Sequence, residues 1–473
     1  MPDLRRQIFE SGKTVSRKAA SRDASRAASR AGSVTNSPKS SQNASRNPSD
    51  EEDAGFLSDD TAMSIGSFDD ENPEQDNADW AQELIDIIHE ILDRKRSSVQ
   101  GREQALAAFG RLTKYHYAEE EIRPFVSDLL VAFAKSIQSD SSTREVTLAL
   151  RAIELLVITS SDSKVFENAE PLLTRTIRDN ASNAVKAAAI QSLGACTIFG
   201  GAGEEGILDQ MTFLLDIIAS DGQSIDAADD PVSVTAALQI WGFLATDIED
   251  LEGESDEAAQ VFLDQLDSSD SGVQIAAGEN IALLYEKSYT PQEEDESDSE
   301  DNEDHVNEDP TGPKLIKRYE VYHNTYEMER QLQSLATVHG KRISKKDKKS
   351  LHSNFASILT TVENPRRGPR YNMAIDQDTN RHYGSTLTVK IGQHGVMSID
   401  RWWKLVRLNS LRRTLQGGFV EHYFQGNRSV LDNLPVMVRM SEASSFSGNR
   451  PSAKKAAKMR NSRRWTAQDS DSD

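Results

Sequence analysis

The sequence predicts an all-α protein: a solenoid of stacked helix pairs, a smaller, mostly helical C-terminal region with one β-hairpin, and long disordered termini. Three observations carry that expectation. A small–bulky apolar motif repeats at near-constant spacing, helical periodicity fills the intervals, and charge changes sign abruptly along the 473 residues.

The repeat comes first because it sets the architecture. Ala105, Ala149, Ala189, Ala237 and Ala277 each stand four positions before a bulky apolar residue: Phe109, Ile153, Leu193, Trp241 and Ile281. Glycine follows three of these at once (Gly110, Gly194, Gly242), and a further stripe residue falls three positions on, at Leu112, Leu156, Cys196, Leu244 and Leu284. The anchors are spaced 44, 40, 48 and 40 residues apart. A small side chain lets one helix approach the next, and positions four and seven further on continue the same stripe. Between anchors, the segments Trp80–Leu92, Ile122–Ile137, Val165–Ile177, Ile207–Ile218 and Ala258–Leu266 supply a second layer. Two helices every 40–48 residues are the signature of an armadillo/HEAT-like α-solenoid, with a nonrepetitive helical bundle as the alternative.

Composition and charge divide the rest. Only 37% of residues are hydrophobic and 6% aromatic, so part of the chain has too little apolar surface to fold. Residues 1–79 read as a disordered leader, first Ser/Arg-rich with 10 basic and 3 acidic side chains to residue 49, then purely acidic with 12 acids. Residues 80–290, the repeat domain, carry 15 basic and 36 acidic side chains. An acidic linker over 291–313 adds 11 acids, and Pro291 with the run Glu293–Asp309 should stop the solenoid near Tyr289. Over 314–465 the balance reverses to 29 basic against 11 acidic, although the whole chain is at −22. A C-terminal domain over 314–440 should contain helices at Tyr319–Val338, Lys346–Val362 and Arg401–Gln416, the last ending at Gly417-Gly418 ahead of the segment Phe419–Phe424. Its hairpin should pair Thr386–Ile391 with Val396–Ile399 around Gly392–Gly395. Residues 441–473 form a basic polar tail.

Catalytic chemistry finds no foothold. Gly200–Gly203 lacks the Gly-Lys-Ser/Thr of a phosphate loop, the nine histidines are scattered, and Cys196 is the single cysteine. The acidic run lacks the spaced ligands and turn glycine of a calcium loop. No catalytic residue, metal ligand or cofactor is therefore expected, and the chain reads as a non-enzyme. With one cysteine, no apolar leader core at residues 1–30 and no membrane-length apolar run, it is expected to be intracellular, cytoplasmic or nuclear, neither secreted nor membrane-spanning. Ser25, Ser29 and Ser33 each follow an arginine by three positions, and Ser297, Ser299, Ser470 and Ser472 lie among acids, so both groups invite phosphorylation.

The positive signal is basic. Lys341, Arg342, Lys345, Lys346, Lys348 and Lys349 cluster within nine residues, Arg366, Arg367 and Arg370 lie in a loop, and Lys454, Lys455, Lys458, Arg460, Arg463 and Arg464 close the chain. On a helix the last group would point to every side, which suits surrounding phosphates better than a membrane surface. An import signal or a solubility tail is the alternative. The expected partners are RNA or a ribosome for the basic region and proteins for the repeat domain, with no membrane and no small-molecule substrate.

Three stretches carry a family resemblance. Ser271–Glu286 (SGVQIAAGENIALLYE) resembles the final repeat in the helical domain of the interferon-related developmental regulator family. Leu332–Thr337, leading through the lysine cluster to Phe355–Leu359, is similar to the family's next run. Trp402–Asn433, with Leu415-Gln416-Gly417-Gly418-Phe419 and His422, looks like its C-terminal domain. The Ser/Arg leader and the acidic insertion depart from the family pattern. The resemblance implies an armadillo-like scaffold without catalytic activity that regulates gene expression. Members of the family act as nuclear co-regulators of transcription or as ribosome-associated factors that restrain translation. In the second role a basic C-terminal helix enters RNA-lined space, which maps here to the segment around Lys454–Arg464.

Overall fold

The structure, a computed structural model, describes residues 79–94, 97–160, 162–292, 315–337, 345–375, 382–391, 395–436 and 438–440. The termini expected to be disordered, most of the acidic linker and the tail cluster from Lys454 to Arg464 lie outside the described residues.

Helices pair in sequence order. The first members are α1 (Trp80–Leu92), α3 (Val126–Ser139), α5 (Val165–Asp179), α7 (Gly203–Ala219), α9 (Glu252–Gln265) and α11 (Thr325–Thr337). The second members are α2 (Val99–Tyr115), α4 (Thr143–Ser160), α6 (Asn183–Phe199), α8 (Pro231–Ala245), α10 (Ser271–Lys287) and α12 (Lys345–Glu363). Each second helix packs on its own first helix and on the second helices before and after it, which is the expected solenoid.

The two layers differ in how the sequence must be patterned. A first-layer helix has one neighbouring face, so α1 buries Leu84, Ile87, Ile88 and Ile91 along one stripe. A second-layer helix is enclosed: from Ser233 to Ala245, α8 is buried except at Thr235 and Gln239. Local signals set the starts. Ser98 Oγ accepts from Gly101 N at 3.1 Å, Asp230 accepts from Ser233 N at 2.9 Å ahead of Pro231, and Asp270 accepts from Gly272 N at 2.8 Å.

The repeat residues occupy the inter-helix contacts. Ala105, Ala149, Ala189, Ala237 and Ala277 are all at most 5% exposed, and the bulky residues four positions on are buried beside them. The glycines have a further role. A Cβ on Gly194 would stand 2.5 Å from Ile240 of the next second-layer helix, and one on Gly242 would overlap Asn280 Oδ1. Asn280 has no freedom to give way, because its Nδ2 donates to Leu238 O at 2.8 Å. Trp241 closes the fourth pair edge-on against Phe262 of α9, with ring centres 4.8 Å apart. Cys196 is fully buried in this stripe, and burial pushes its thiol well above its ordinary range.

The stack does not end near Tyr289. Strand β1 (Tyr289–Pro291) pairs antiparallel with β2 (Leu315–Lys317), so the chain leaves and re-enters at one point, and α11 and α12 then continue the stack on α10. The repeat motif hides this sixth pair. α12 presents only large residues, Leu351, Phe355, Ile358 and Val362, and the small partner has moved to α10 as Gly278. A Cβ there would stand 2.7 Å from Ile358 Cδ1 and 3.0 Å from Phe355 Cε1.

Beyond α12 come a hairpin, β3 (Tyr371–Ile375) with β4 (His382–Ser385), and then the expected one, β5 (Thr388–Ile391) with β6 (Gly395–Ser398). Strand β7 (Val438–Met440) adds to β6 and makes a three-stranded sheet. The α-helices after α12 are α13 (Trp402–Leu415), α14 (Phe419–Phe424) and α15 (Arg428–Asn433). Three strand pairings, β1–β2, β3–β4 and β6–β7, lie outside the single hairpin expected from sequence. No helix among the described residues is long and apolar enough to cross a membrane.

The glycine contacts predict opposite outcomes at two sites. Gly242→Ala should cost about 1–3 kcal/mol, since Asn280 cannot yield. Gly110→Ala, whose new Cβ would lie an ordinary 3.7 Å from Leu155 Cδ1, should be neutral or stabilise by up to about 1 kcal/mol through helix propensity. Urea-midpoint shifts of the two variants measure both.

Candidate functional site: the covered face of the solenoid

Solenoids bind partners along the face of their second-layer helices. Here residues 401–436 of the same chain lie on that face. Their path starts at α10 and α12, crosses α8 and α4, and finishes at α2. Helix α13 is seated by its ends. Its first amides, Trp402 N and Trp403 N, have no partner within the helix and donate to the two oxygens of Glu286 at 2.9 and 3.1 Å. At the other end Arg151 NH2 donates to the carbonyls of Arg413, at 2.8 Å, and Thr414. A carboxylate at the N-terminus and a guanidinium at the C-terminus both match the helix dipole.

The flanks are fixed as specifically. The Trp402 indole N–H donates to Thr361 Oγ1 of α12 at 2.7 Å. Arg407 reaches Thr246 Oγ1 at 2.8 Å, Thr246 O at 3.0 Å, Asp247 at 3.1 Å and Asn433 O at 2.8 Å. Arg413 donates to Gln239 Oε1 at 2.6 Å, and Arg151 pairs with buried Glu154 at 2.7 Å. Lys287 caps the C-terminus of α8, donating to Ala245 O at 3.0 Å and Thr246 O at 3.3 Å, and burial pulls its ammonium down to about 8. Burial pushes the Glu286 carboxyl up to about 7, against the pull of Arg401 and the two α13 amides.

At the far end, glycine permits backbone contact, since any Cβ on Gly418 would overlap Lys114 O at the end of α2. His422 then packs fully buried, with Nε2 2.9 Å from Thr113 O and Nδ1 2.9 Å from Asn427 Nδ2. A carbonyl requires a donor and the Asn427 amide requires an acceptor, so the ring is neutral with its proton on Nε2. Asn427 Nδ2 is held in that orientation by Ile158 O of α4, at 3.1 Å.

Of the residues picked from sequence, only the repeat alanines are described with their side chains, and they do not lie on this covered face. The five repeat alanines are interior packing groups of the second-layer helices. Lys345, Lys346, Lys348 and Lys349 begin α12, but their side chains lie outside the described residues, as do Lys341, Arg342 and the whole tail cluster of Lys454, Lys455, Lys458, Arg460, Arg463 and Arg464. The anchoring roles of Glu286, Arg151, Arg407, Arg413 and His422 escaped the sequence reading, although Glu286 and His422 stand in the stretches that carry the resemblance. One signal was available: Arg151, Glu154 and Glu286 interrupt apolar second-layer helices at positions enclosed by the stack, and a charge there needs a partner. Among the described residues no group of three or more His, Cys, Asp or Glu side chains is placed to hold a metal ion.

These features define an α-solenoid scaffold whose second-layer face is occupied by its own C-terminal segment. A family model, interferon-related developmental regulator, matches residues 39–363, which is more than half of the chain, and the protein belongs to that family. The match runs past Glu286 to the last residue of α12, so the stretch at Ser271–Glu286 is not the final helix pair of the matched region. An uncharacterised protein of Schizosaccharomyces pombe is 26% identical over 76% of this chain and 76% of its own length.

The His422 site has a defined pH response. Burial lowers the ring from its ordinary value to about 4, outweighing the carbonyls of Thr113 and Lys114. The neutral ring's contribution is therefore complete above about pH 6.5 and disappears as pH falls through about 4, a span on the order of 3 kcal/mol. His422→Gln cannot gain a proton, so its urea midpoint should fall less than the parent's between pH 7 and pH 4.5. Parallel falls in the two proteins would show that this ring does not titrate as described.

Proposed function

We propose that the protein is a non-enzymatic regulator of gene expression that grips RNA or a ribosome through its basic C-terminal region and so restrains translation. Family membership supports a regulatory role. The observation that carries the finer reading is the charge reversal: 29 basic against 11 acidic side chains over 314–465, attached to a repeat domain with 15 against 36. An acidic scaffold repels polyphosphate while a basic extension attracts it, so contact is confined to one end of the chain.

The covered face bears on the alternative, a nuclear co-regulator that docks partner proteins in the solenoid groove. That mode needs a bare second-layer face, and residues 401–436 lie along it with both ends of α13 capped by the repeats. Proteins that bind the scaffold with this segment in place must use the first-layer helices or the loops.

Neutralising Lys454, Lys455, Lys458, Arg460, Arg463 and Arg464 should abolish co-sedimentation with ribosomes through a sucrose gradient. If the tail contacts six phosphates, the log–log salt slope for RNA binding should also fall by about 4, at roughly 0.7 per phosphate. A neutralised protein that sediments with ribosomes as before would reject the proposal.

A further inference from the structure

The covered face of the solenoid is built as a receptor for a helix. Glu286 presents a carboxylate to the two free amides that open α13, and Arg151 presents a guanidinium to the carbonyls that end it. Between these ends α8 offers Gln239 to Arg413, and Thr246 just beyond it receives Arg407. All four receiving groups belong to the repeats, whose helix pairs pack on one another in chain order. The occupant is tied to itself. Arg407 NH1 donates to Asn433 O at 2.8 Å, Tyr423 Oη donates to Val436 O at 2.7 Å, and Asn427 joins His422, so α13, α14 and α15 form one body. It also has a single base: β6 leads into it and β7 follows it, and these strands pair with Gly395 opposite Met440 and Met397 opposite Val438. The segment is therefore a closed excursion, and it is able to leave the face without unpairing a helix of the stack.

The seam beneath it is incompletely satisfied. Among the described residues, buried Arg413 Nε, Asn427 Oδ1 and Asn433 Oδ1 of the segment have no hydrogen-bond partner. The same holds for Thr159 Oγ1 and Ser160 Oγ, beside the Ile158 carbonyl that Asn427 takes. Each of these atoms regains water on release. Burial also pulls the Arg413 guanidinium down to about 10 and holds that of Arg407 below its usual range. The apolar side opposes release, because Trp402, Leu405, Val406, Leu408, Leu411 and Leu415 of α13 are buried. Water alone does not lift such a helix. A second amphipathic helix does, since it exchanges one apolar face for another with little net change in burial.

We propose that the second-layer face is a helix-binding groove held shut by residues 401–436, and that its other occupant is an amphipathic helix of a partner protein. That helix has the end chemistry of α13: an uncapped first turn for Glu286 and final carbonyls for Arg151. It carries cations five and eleven positions after its first residue, as Arg407 and Arg413 stand to Trp402. The proposal is independent of the basic tail and of RNA. Because the resident segment is tethered, its effective concentration is high, and a free helix enters only where the segment has been loosened.

The test uses the full chain, with a fluorescent peptide of residues 400–418 standing in for the partner helix. Trp402→Ala with Arg407→Gln loosens the segment and leaves the groove's own residues in place. Hydrogen exchange at residues 404–415 should then accelerate by about tenfold or more while α8 is unchanged, and the peptide should bind about tenfold or more tighter than to the parent. Adding Glu286→Gln should remove most of that gain, since one of the two acceptors becomes a donor. Arg407→Gln alone, which keeps the buried indole, is read in the same way. If α13 exchanges as in the parent, or if α8 loses protection together with it, the segment is not separable and the proposal fails. A scrambled peptide that binds as well, or a gain that survives Glu286→Gln, would reduce the contact to charge attraction on an acidic scaffold and overturn it too. A loosened variant that dimerises on a sizing column has refilled its groove from a second copy, which counts against a partner protein's helix.

Discussion

The close approach of neighbouring second-layer helices is the constraint on which the rest depends. Glycine and alanine at the contact points let Ile240 cover Gly194, Asn280 cover Gly242, and Ile358 with Phe355 cover Gly278. A methyl group in the wrong place would separate two helices and propagate along the stack, since each pair touches only its neighbours. The same closeness encloses the second layer and explains why α8 is apolar on nearly every side while α1 carries a single stripe.

Enclosure in turn decides what the few charged groups of that layer can do. A buried carboxylate or guanidinium is costly unless it is paired and hydrogen-bonded. Glu286 and Arg151 meet that requirement by receiving the two ends of α13, whose terminal amides and carbonyls need partners of opposite polarity. Scaffold and C-terminal segment therefore satisfy each other's unmet polar groups. Residues 401–436 become part of the fold, and the face that solenoids commonly offer to partners is closed.

With that face occupied, the exposed surface is sorted by sign. Between Lys186 and Lys287 the sequence contains no lysine, arginine or histidine, whereas cations accumulate from residue 314 onward. At the C-terminal end of the stack, the basic turn after α12 packs against the start of α13.

Much of this was legible in the residues themselves. Spacing of Ala105, Ala149, Ala189, Ala237 and Ala277 indicated five helix pairs, because a helix contact that must be small recurs with the repeat. The first helix, Trp80–Leu92, and the β5–β6 pairing were also readable, since both depend on local periodicity and turns. The two helices of the sixth pair were readable, at Tyr319–Val338 and Lys346–Val362, but their place in the stack was not, because the small residue of that contact lies on α10 and the large ones on α12, an exchange that leaves no periodic trace. Nor were the partners of Glu286, Arg151 and His422, which lie 116, 262 and 309 residues away. Local pattern determines which helices form. The choice of which buried charge meets which helix end is made only when the stack brings distant segments together, because the cost of leaving either group unpaired arises only once both are removed from water.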